Sequence, residues 1–436
     1  MVLLKSFTNI FRVTELRRRM LFTLFVLIIY RLGIFIPVVG VNIAMLAERL
    51  HQATGLGMLF SYLDTVSGSA IGKCTLFSLG ITPYITASIA MQLLTLAIPQ
   101  LEQLQKEGEY GRKLINQYTR YLTLGIAFVS SFTYATALQA AGLALQPGIG
   151  FTILFVISMT AGAMFAMWLG EQISLSGVGN GASMLIFAGI IARMPSLIGQ
   201  TVQYINLGTT DILSVAIATV FFIVIVACIV YLEKGERKIP VQYARRIVGN
   251  RVYGGQSSYI PFKINPVGVM PVIFAGAALN YPLIISNVLA ARFESLQFLR
   301  DIFTNHTVYI SLEFILIIFF TFLYTALVFN PDELADNIKK NGGFIPGIRP
   351  GKKTALFFDY ILNRIGLVGA IYLGILAIVP DIVKIILDVP FLLNGISLLI
   401  AVGVALEVSA QMESYLIEHR YEGFLSSGRV KNRVAR

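Results

Sequence analysis

Apolar positions in this chain gather into about ten runs of roughly 20 residues. They fall at 20–39, 75–96, 119–139, 151–169, 181–198, 213–233, 267–289, 310–329, 364–385 and 391–409. A helix of about 20 residues rises roughly 30 Å, the thickness of a hydrocarbon core, and lipid offers the backbone no hydrogen-bond partner. Each run therefore predicts a membrane-crossing helix, and the pattern defines an all-α, polytopic membrane protein.

Composition agrees, since 56% of the 436 residues are hydrophobic and 13% are charged, against roughly a quarter charged in soluble domains. The charges are unevenly placed. Of 34 Lys and Arg, 27 fall on the two termini and alternate loops, 6 on the intervening loops, and Arg31 lies in the first run. That asymmetry puts both termini in the cytoplasm. Lys5, Arg12, Arg17, Arg18 and Arg19 precede the first run in the manner of a signal peptide. The run is too long for a cleaved segment and lacks a small-residue cleavage site, so it predicts a retained span. Within residues 1–19, Leu3, Leu4, Phe7, Ile10 and Phe11 at helical spacing predict an amphipathic helix on the inner leaflet.

Two inside loops, 234–266 and 330–363, are longer than a connector needs. The first carries Lys234, Arg237, Lys238, Arg245, Arg246, Arg251 and Lys263. Such a loop suits anionic lipid or an acidic, phosphate-rich macromolecule, and charge alone leaves both open. Residues 55–73 hold an apolar core, Leu56 to Leu63, too short to span and bracketed by glycines. It reads either as a short outer-surface helix or as a re-entrant piece whose backbone is satisfied by protein or a wet cavity.

Catalytic and ligand chemistry is sparse. Cys74 and Cys228 are 154 positions apart, and His51, His306 and His419 lie outside the runs and far from one another, so no disulfide framework or metal site is expected. No HExxH occurs. Gly351 to Thr354, GKKT, lacks the first glycine of a phosphate loop, its place being taken by Pro346, and no strand is expected before it. Ser176 to Gly181, SGVGNG, has the wrong spacing for a dinucleotide fingerprint and reads as a tight turn. Besides Arg31, the runs hold Glu313 and Glu407 close to their ends, where both are expected to reach the interface. With no acid at mid-membrane, ion coupling is disfavoured. Ile81 and Ile85, four apart, share one helix face in GITPYITASIAMQLL.

Phe329 to Gly351 (FNPDELADNIKKNGGFIPGIRPG) closely resembles the loop between the eighth and ninth spans of the SecY family. Tyr110 to Tyr121 (YGRKLINQYTRY), Met167 to Gly181 (MWLGEQISLSGVGNG), Gly80 to Leu94 and Pro261 to Ala275 (PFKINPVGVMPVIFA) resemble further blocks of that family, in order, over roughly residues 15–425. The resemblance implies ten transmembrane helices in two pseudo-symmetric halves around a central hourglass pore. The N-terminal half would take 20–198, the C-terminal half 199–409, and a basic cytoplasmic tail 410–436.

It also implies site residues. The pore ring would be Ile81, Ile85, Ile186, Ile273 and Ile400, and the plug, about 55–73, would include Leu56, Met58, Leu59, Phe60 and Leu63. The sequence YLDTVSGSAIGK departs from the family's paired glycines there, and Ala182 departs from its usual branched residue. Gln92 would be a polar latch at the lateral gate. Arg237, Lys238, Arg245, Arg246, Arg251 and Arg349 would dock the ribosome and the SecA motor ATPase. Expected partners are the small membrane subunits SecE and SecG, SecA, the ribosome, signal peptides, nascent polypeptides and anionic lipids, with no cofactor. The implied function is a protein-conducting channel in the bacterial plasma membrane and not an enzyme. The alternative is a secondary transporter of small solutes, whose folds also use internal repeats.

Overall fold

The computed structural model describes residues 13–42, 74–140, 142–243, 246–248, 251–253, 257–279, 282, 305–387 and 393–427. Each apolar run carries a helix. They are α1 (Thr14–Gly33), α2 (Thr82–Ala97), α4 (Glu109–Ala140), α5 (Ile149–Ser176), α6 (Gly181–Asn206), α7 (Ile212–Lys234), α8 (Met270–Leu279), α9 (His306–Val328), α11 (Lys352–Leu387) and α12 (Gly395–Ser427). Among the described residues, seven helices are long and apolar enough to cross a membrane, or eight when α2 and the short α3 (Pro99–Lys106) count as one bent span.

The differences from the expected spans have local causes. The first run stops being helical at Gly33, although apolar residues continue to Val39. Residues 34–42 are irregular, and their backbone groups find partners elsewhere in the chain. The Val38 amide donates to the Cys74 carbonyl at 2.9 Å, the Leu76 amide to Ile36 at 2.9 Å, and the Asn42 amide to Leu143 at 3.0 Å. Irregular backbone at membrane depth requires such pairing. Between α2 and α3 the chain bends by 101°. Ile98 there is extended, φ −110° and ψ 111°, because a residue preceding proline is disfavoured in the helical region, and Pro99 then opens α3.

The chain divides into two compact units, one of Met1–Met194 with Val404–Arg436 and one of Pro195–Gly403. The boundary thus falls inside α6 and again inside α12. In the first unit, Val38, Val41, Cys74, Tyr134, Leu138, Phe151, Phe155 and Met159 form a core between the irregular segment, α4 and α5. Buried hydroxyls bond back along their own helices, as Thr123 Oγ1 does to the Thr119 carbonyl at 2.7 Å and Ser131 Oγ to Ala127 at 2.7 Å.

The second unit holds α7 to α11 and a sheet. Expected as an extended basic loop, 234–266 instead forms β1 (Glu236–Tyr243), the small pair β2 (Arg246–Val248) and β3 (Arg251–Tyr253), and β4 (Ser257–Lys263). β1 pairs antiparallel with β4, with Ile239 opposite Ile260, and its far edge takes up β5 (Gly343–Phe344), so the sheet order is β4-β1-β5. β5 also supplies, over two residues, a strand before GKKT where none was expected. Between them, α10 (Pro331–Lys340) has the sequence of a self-capped helix. The Asn330 side chain accepts from the Glu333 amide, Pro331 starts the first turn with Asp332 and Glu333, and Lys339 and Lys340 finish the last.

Two glycines of neighbouring helices offer a test of packing. A methyl group on Gly162 of α5 would overlap the Leu76 backbone carbonyl, whereas one on Gly125 of α4 would meet nothing within 4 Å. Gly162→Ala should lower the thermal midpoint of the detergent-solubilised protein, with an overpacking cost of about 1–3 kcal/mol. Gly125→Ala should leave it unchanged or raise it.

Candidate functional site

Ile81 ends an irregular turn and serves as the N-cap residue of α2, and its carbonyl accepts from the Ile85 amide at 3.1 Å, so the two stack one turn apart. Both are buried, at 4% and 8% exposure. Against them lies a close helix crossing. A methyl on Gly181, at the start of α6, would overlap the backbone carbonyl of Gly170 in α5, so only glycines permit this approach. A methyl on Gly170 would lie 3.1 Å from Ile81 Cδ1 and 3.6 Å from the Ala182 amide nitrogen. The α5–α6 crossing therefore sets where Ile81 packs, and Ile186 follows in the second turn of α6, 3% exposed.

The second unit carries Ile273 and Ile400, 7% and 4% exposed. A Cβ on Gly403 of α12 would overlap Val269 Cγ1 at the start of α8. Ile273, whose amide donates to the Val269 carbonyl at 3.2 Å, and Ile400 each lie about one turn from this crossing. The start of α8 is further fixed by Asn265, which donates to Glu233 Oε1 at 2.6 Å and to the Gly268 carbonyl at 2.9 Å. None of the five isoleucines is exposed, and three belong to one unit and two to the other.

Gln92 behaves differently from the expected latch. Its amide donates to Ser88 of its own helix at 3.4 Å, and its buried Oε1 has no partner. The plug residues Leu56, Met58, Leu59, Phe60 and Leu63 lie outside the described residues, as does Arg245.

The remaining basic residues stand on the sheet and its neighbouring loop. Alternation along β1 buries Ile239 and Val241 against Ile338, Phe358, Ile361 and Leu362 of α10 and α11, and leaves Arg237 and Lys238 exposed. Lys238 bonds Glu236 at 3.2 Å and lies 4.7 Å from the Tyr259 ring centre. The Glu236 hydrogen bond, helped by Tyr259, holds its pKa above the ordinary lysine value. Arg246 and Arg251 fall on β2 and β3. Arg349 is exposed in PGIRPG, where Pro346 and Pro350 stiffen the loop and Thr354 Oγ1 donates to its carbonyl at 3.0 Å.

Two groups escaped sequence reasoning. Arg120 of α4 and Glu171 of α5 form a two-pronged ion pair with both contacts at 2.8 Å, tying together two of the quoted sequence blocks. Nothing in a single sequence pairs residues 51 apart. Glu313, expected at the interface, is instead 2% exposed in α9, and its Oε1 has no hydrogen-bond partner. Glu407 is exposed. Among the described residues the spans therefore hold one buried acid, and its supposed absence no longer counts against ion coupling.

Long apolar helices in two units, close glycine crossings, buried aliphatic side chains and a basic sheet define a polytopic helical membrane protein. Solved structures place that fold. The chain resembles one described as "The structure of a protein conducting channel" at a TM-score of 0.66 and 20% identity, covering 93% of this chain and 94% of that one. It also resembles Sec61 in a canine ribosome-channel complex, at a TM-score of 0.63 and 18% identity, over 93% and 94% of the two chains.

Sequence carries the assignment further. A profile of the SecY family matches residues 75–409. The protein translocase subunit SecY of Thermotoga maritima is 40% identical over 98% of this chain and 99% of its own. That of Escherichia coli K12 is 41% identical over 96% and 95%, and that of Thermus thermophilus 42% over 99% and 100%. The chain belongs to the SecY family.

The sheet's attachment is open to measurement. Ile239→Ala removes a 3% exposed side chain from beneath β1, at a cost of about 2–5 kcal/mol. Trypsin should then cut at Arg237 and Lys238 at least tenfold faster than in the parent, as followed by gel electrophoresis of the intact membrane protein.

Proposed function

We propose that this chain is the pore-forming subunit of a protein-conducting channel in the bacterial plasma membrane. It moves unfolded, signal-bearing polypeptides across and releases hydrophobic segments sideways into lipid. One observation carries this reading: near-full-length similarity, at 40–42% identity, to several bacterial proteins named as translocase subunits SecY. A protein of that kind is a channel and not an enzyme.

The constriction is assigned to Ile81, Ile85, Ile186, Ile273 and Ile400, and their burial supports it. Branched aliphatic side chains narrow a path, shed water and give ions no ligands, yet yield around a peptide without holding it. Carboxylates or lysines there would bind oppositely charged stretches of the substrate and stall them. A hydrophobic segment leaves sideways because its helix satisfies its own backbone in lipid, whereas the polar chain behind it cannot. Residues 55–73 act as the plug below the constriction, and Gln92 lies at the lateral gate.

Energy comes from outside the chain. SecA and the translating ribosome dock on the cytoplasmic face through Arg237, Lys238, Arg245, Arg246, Arg251 and Arg349, and SecE and SecG complete the complex among anionic lipids. The related Sec61 chain was solved in a complex with a ribosome, which supports that partner. The positive-inside split supports cytoplasmic termini.

Vesicles holding the chain with SecE, SecG and SecA should import a signal-bearing precursor on adding ATP, and failure would refute the channel reading. Counterflow of a labelled small solute, through a carrier built around Glu313, would instead favour the transporter. Ile85→Asn and Ile400→Asn should each raise ion leak severalfold and admit precursors with weakened signals. Unchanged conductance and stringency in both would remove these residues from the constriction.

A further inference from the structure

SGVGNG, which reads as a simple turn, is gripped by two distant helices of its own unit. The Val178 amide donates to Thr23 Oγ1 of α1 at 3.0 Å, and the Gly179 amide donates to Gln411 Oε1 of α12 at 2.7 Å. Thr23 Oγ1 at the same time donates to the Arg19 carbonyl at 2.9 Å, so its direction is fixed. Gly179 has φ +85°, a conformation side chains resist, which turns consecutive amides outward to meet these acceptors. Leu16 and Val178, with Val408, Met412 and Tyr415 packed against them, fill the space between the two acceptors. Arg19 closes the arrangement by donating to the Tyr415 hydroxyl at 3.2 Å, with its guanidinium 5.1 Å from that ring's centre.

The turn leads directly into α6. Gly181 opens that helix against Gly170, whose space is shared by Ile81 and Ala182, and Ile186 follows in the next turn. Whatever fixes the turn therefore fixes two of the five constriction residues. A 33-residue helix reaches the turn from Gly395 and runs on to Ser427, towards the end that the charge split assigns to the cytoplasm.

We propose that the part of α12 beyond Val404 is a positioning element for the constriction, with Gln411 and Thr23 as the positioning residues that hold the α5–α6 turn, and through it Ile186, in register. This deepens the channel reading and rests on it. Displacement of α12 along or away from the turn loosens the grip and with it the seal. A hydrogen bond of this kind shifts an equilibrium by about fivefold, so the device alters the resting seal without dismantling the fold.

The experiment uses the full chain with its small partner subunits in vesicles, reading ion leak and acceptance of signal-weakened precursors. Gln411→Met keeps the side chain's length and loses the acceptor. It should raise leak about fivefold while keeping a cooperative thermal transition, whereas Gln411→Glu, which keeps an acceptor, should match the parent. Thr23→Val and Thr23→Ser form a second pair with the same expected split, so misassembly of one variant leaves the other to decide. Ile186→Asn is the benchmark. If it leaks while Gln411→Met and Thr23→Val stay tight, or if Gln411→Glu leaks as much as Gln411→Met, the grip does not position the constriction. If Ile186→Asn itself stays tight, the constriction assignment fails first and the grip has nothing to position.

Discussion

In hydrocarbon no water is available to a peptide group, so every amide and carbonyl of this chain at membrane depth needs a partner within the protein. Helices meet that demand alone, which is why the apolar runs and the helices coincide. The informative places are those where helix is interrupted. Residues 34–42 give their amides and carbonyls to residues 74–76, 143 and 145, and the α5–α6 turn gives two amides to side chains of α1 and α12. In each case irregular backbone is held by parts of the chain more than 30 positions away in sequence, so interruptions become joints between elements.

Those joints depend on glycine in a way that hydropathy does not reveal. Helices in lipid lack the hydrophobic driving force that holds soluble bundles and associate where small residues let backbones meet. Gly162 over the Leu76 carbonyl and Gly181 over the Gly170 carbonyl are two such meetings, while Gly403 leaves room for the Val269 side chain; the last two adjoin residues assigned to the constriction. At Ile81 and Ile186 the position of an aliphatic side chain is thereby set by a backbone contact, which is stiffer than side-chain packing.

Hydropathy and charge made the spans legible. They did so because the physics is a transfer of about 20 residues into oil, summed over a window. The sheet was not legible, since 234–266 is crowded with Lys and Arg and alternates only weakly; its buried face is Ile239 and Val241, and its support comes from α10 and α11, a hundred residues on. The end of α1 at Gly33 was missed because apolar residues continue to Val39 and composition does not distinguish helix from paired irregular chain. Of the site, the isoleucines were reached through resemblance, not through their chemistry, because an aliphatic residue in an apolar run carries no signal of its own. Gln411 and Thr23 carried none either: their role exists only once α1, the turn and α12 are brought together.

Glu313 shows where such reading has to yield to structure. At seven residues from the start of α9 it looked close enough to the interface to reach water, yet it is 2% exposed. A carboxyl in that position costs several kcal/mol unless something offsets it. The transporter reading would treat this cost as the mark of a coupling site. A channel sealed by aliphatic side chains has no use for a charge at its waist, and Glu313 lies on a different helix from all five constriction residues. Its burial is then a matter of how α9 packs on α11 and says nothing of what the path conducts. The choice between carrier and channel rests on the near-full-length similarity to bacterial SecY proteins, with which five isoleucines at the assigned waist are consistent.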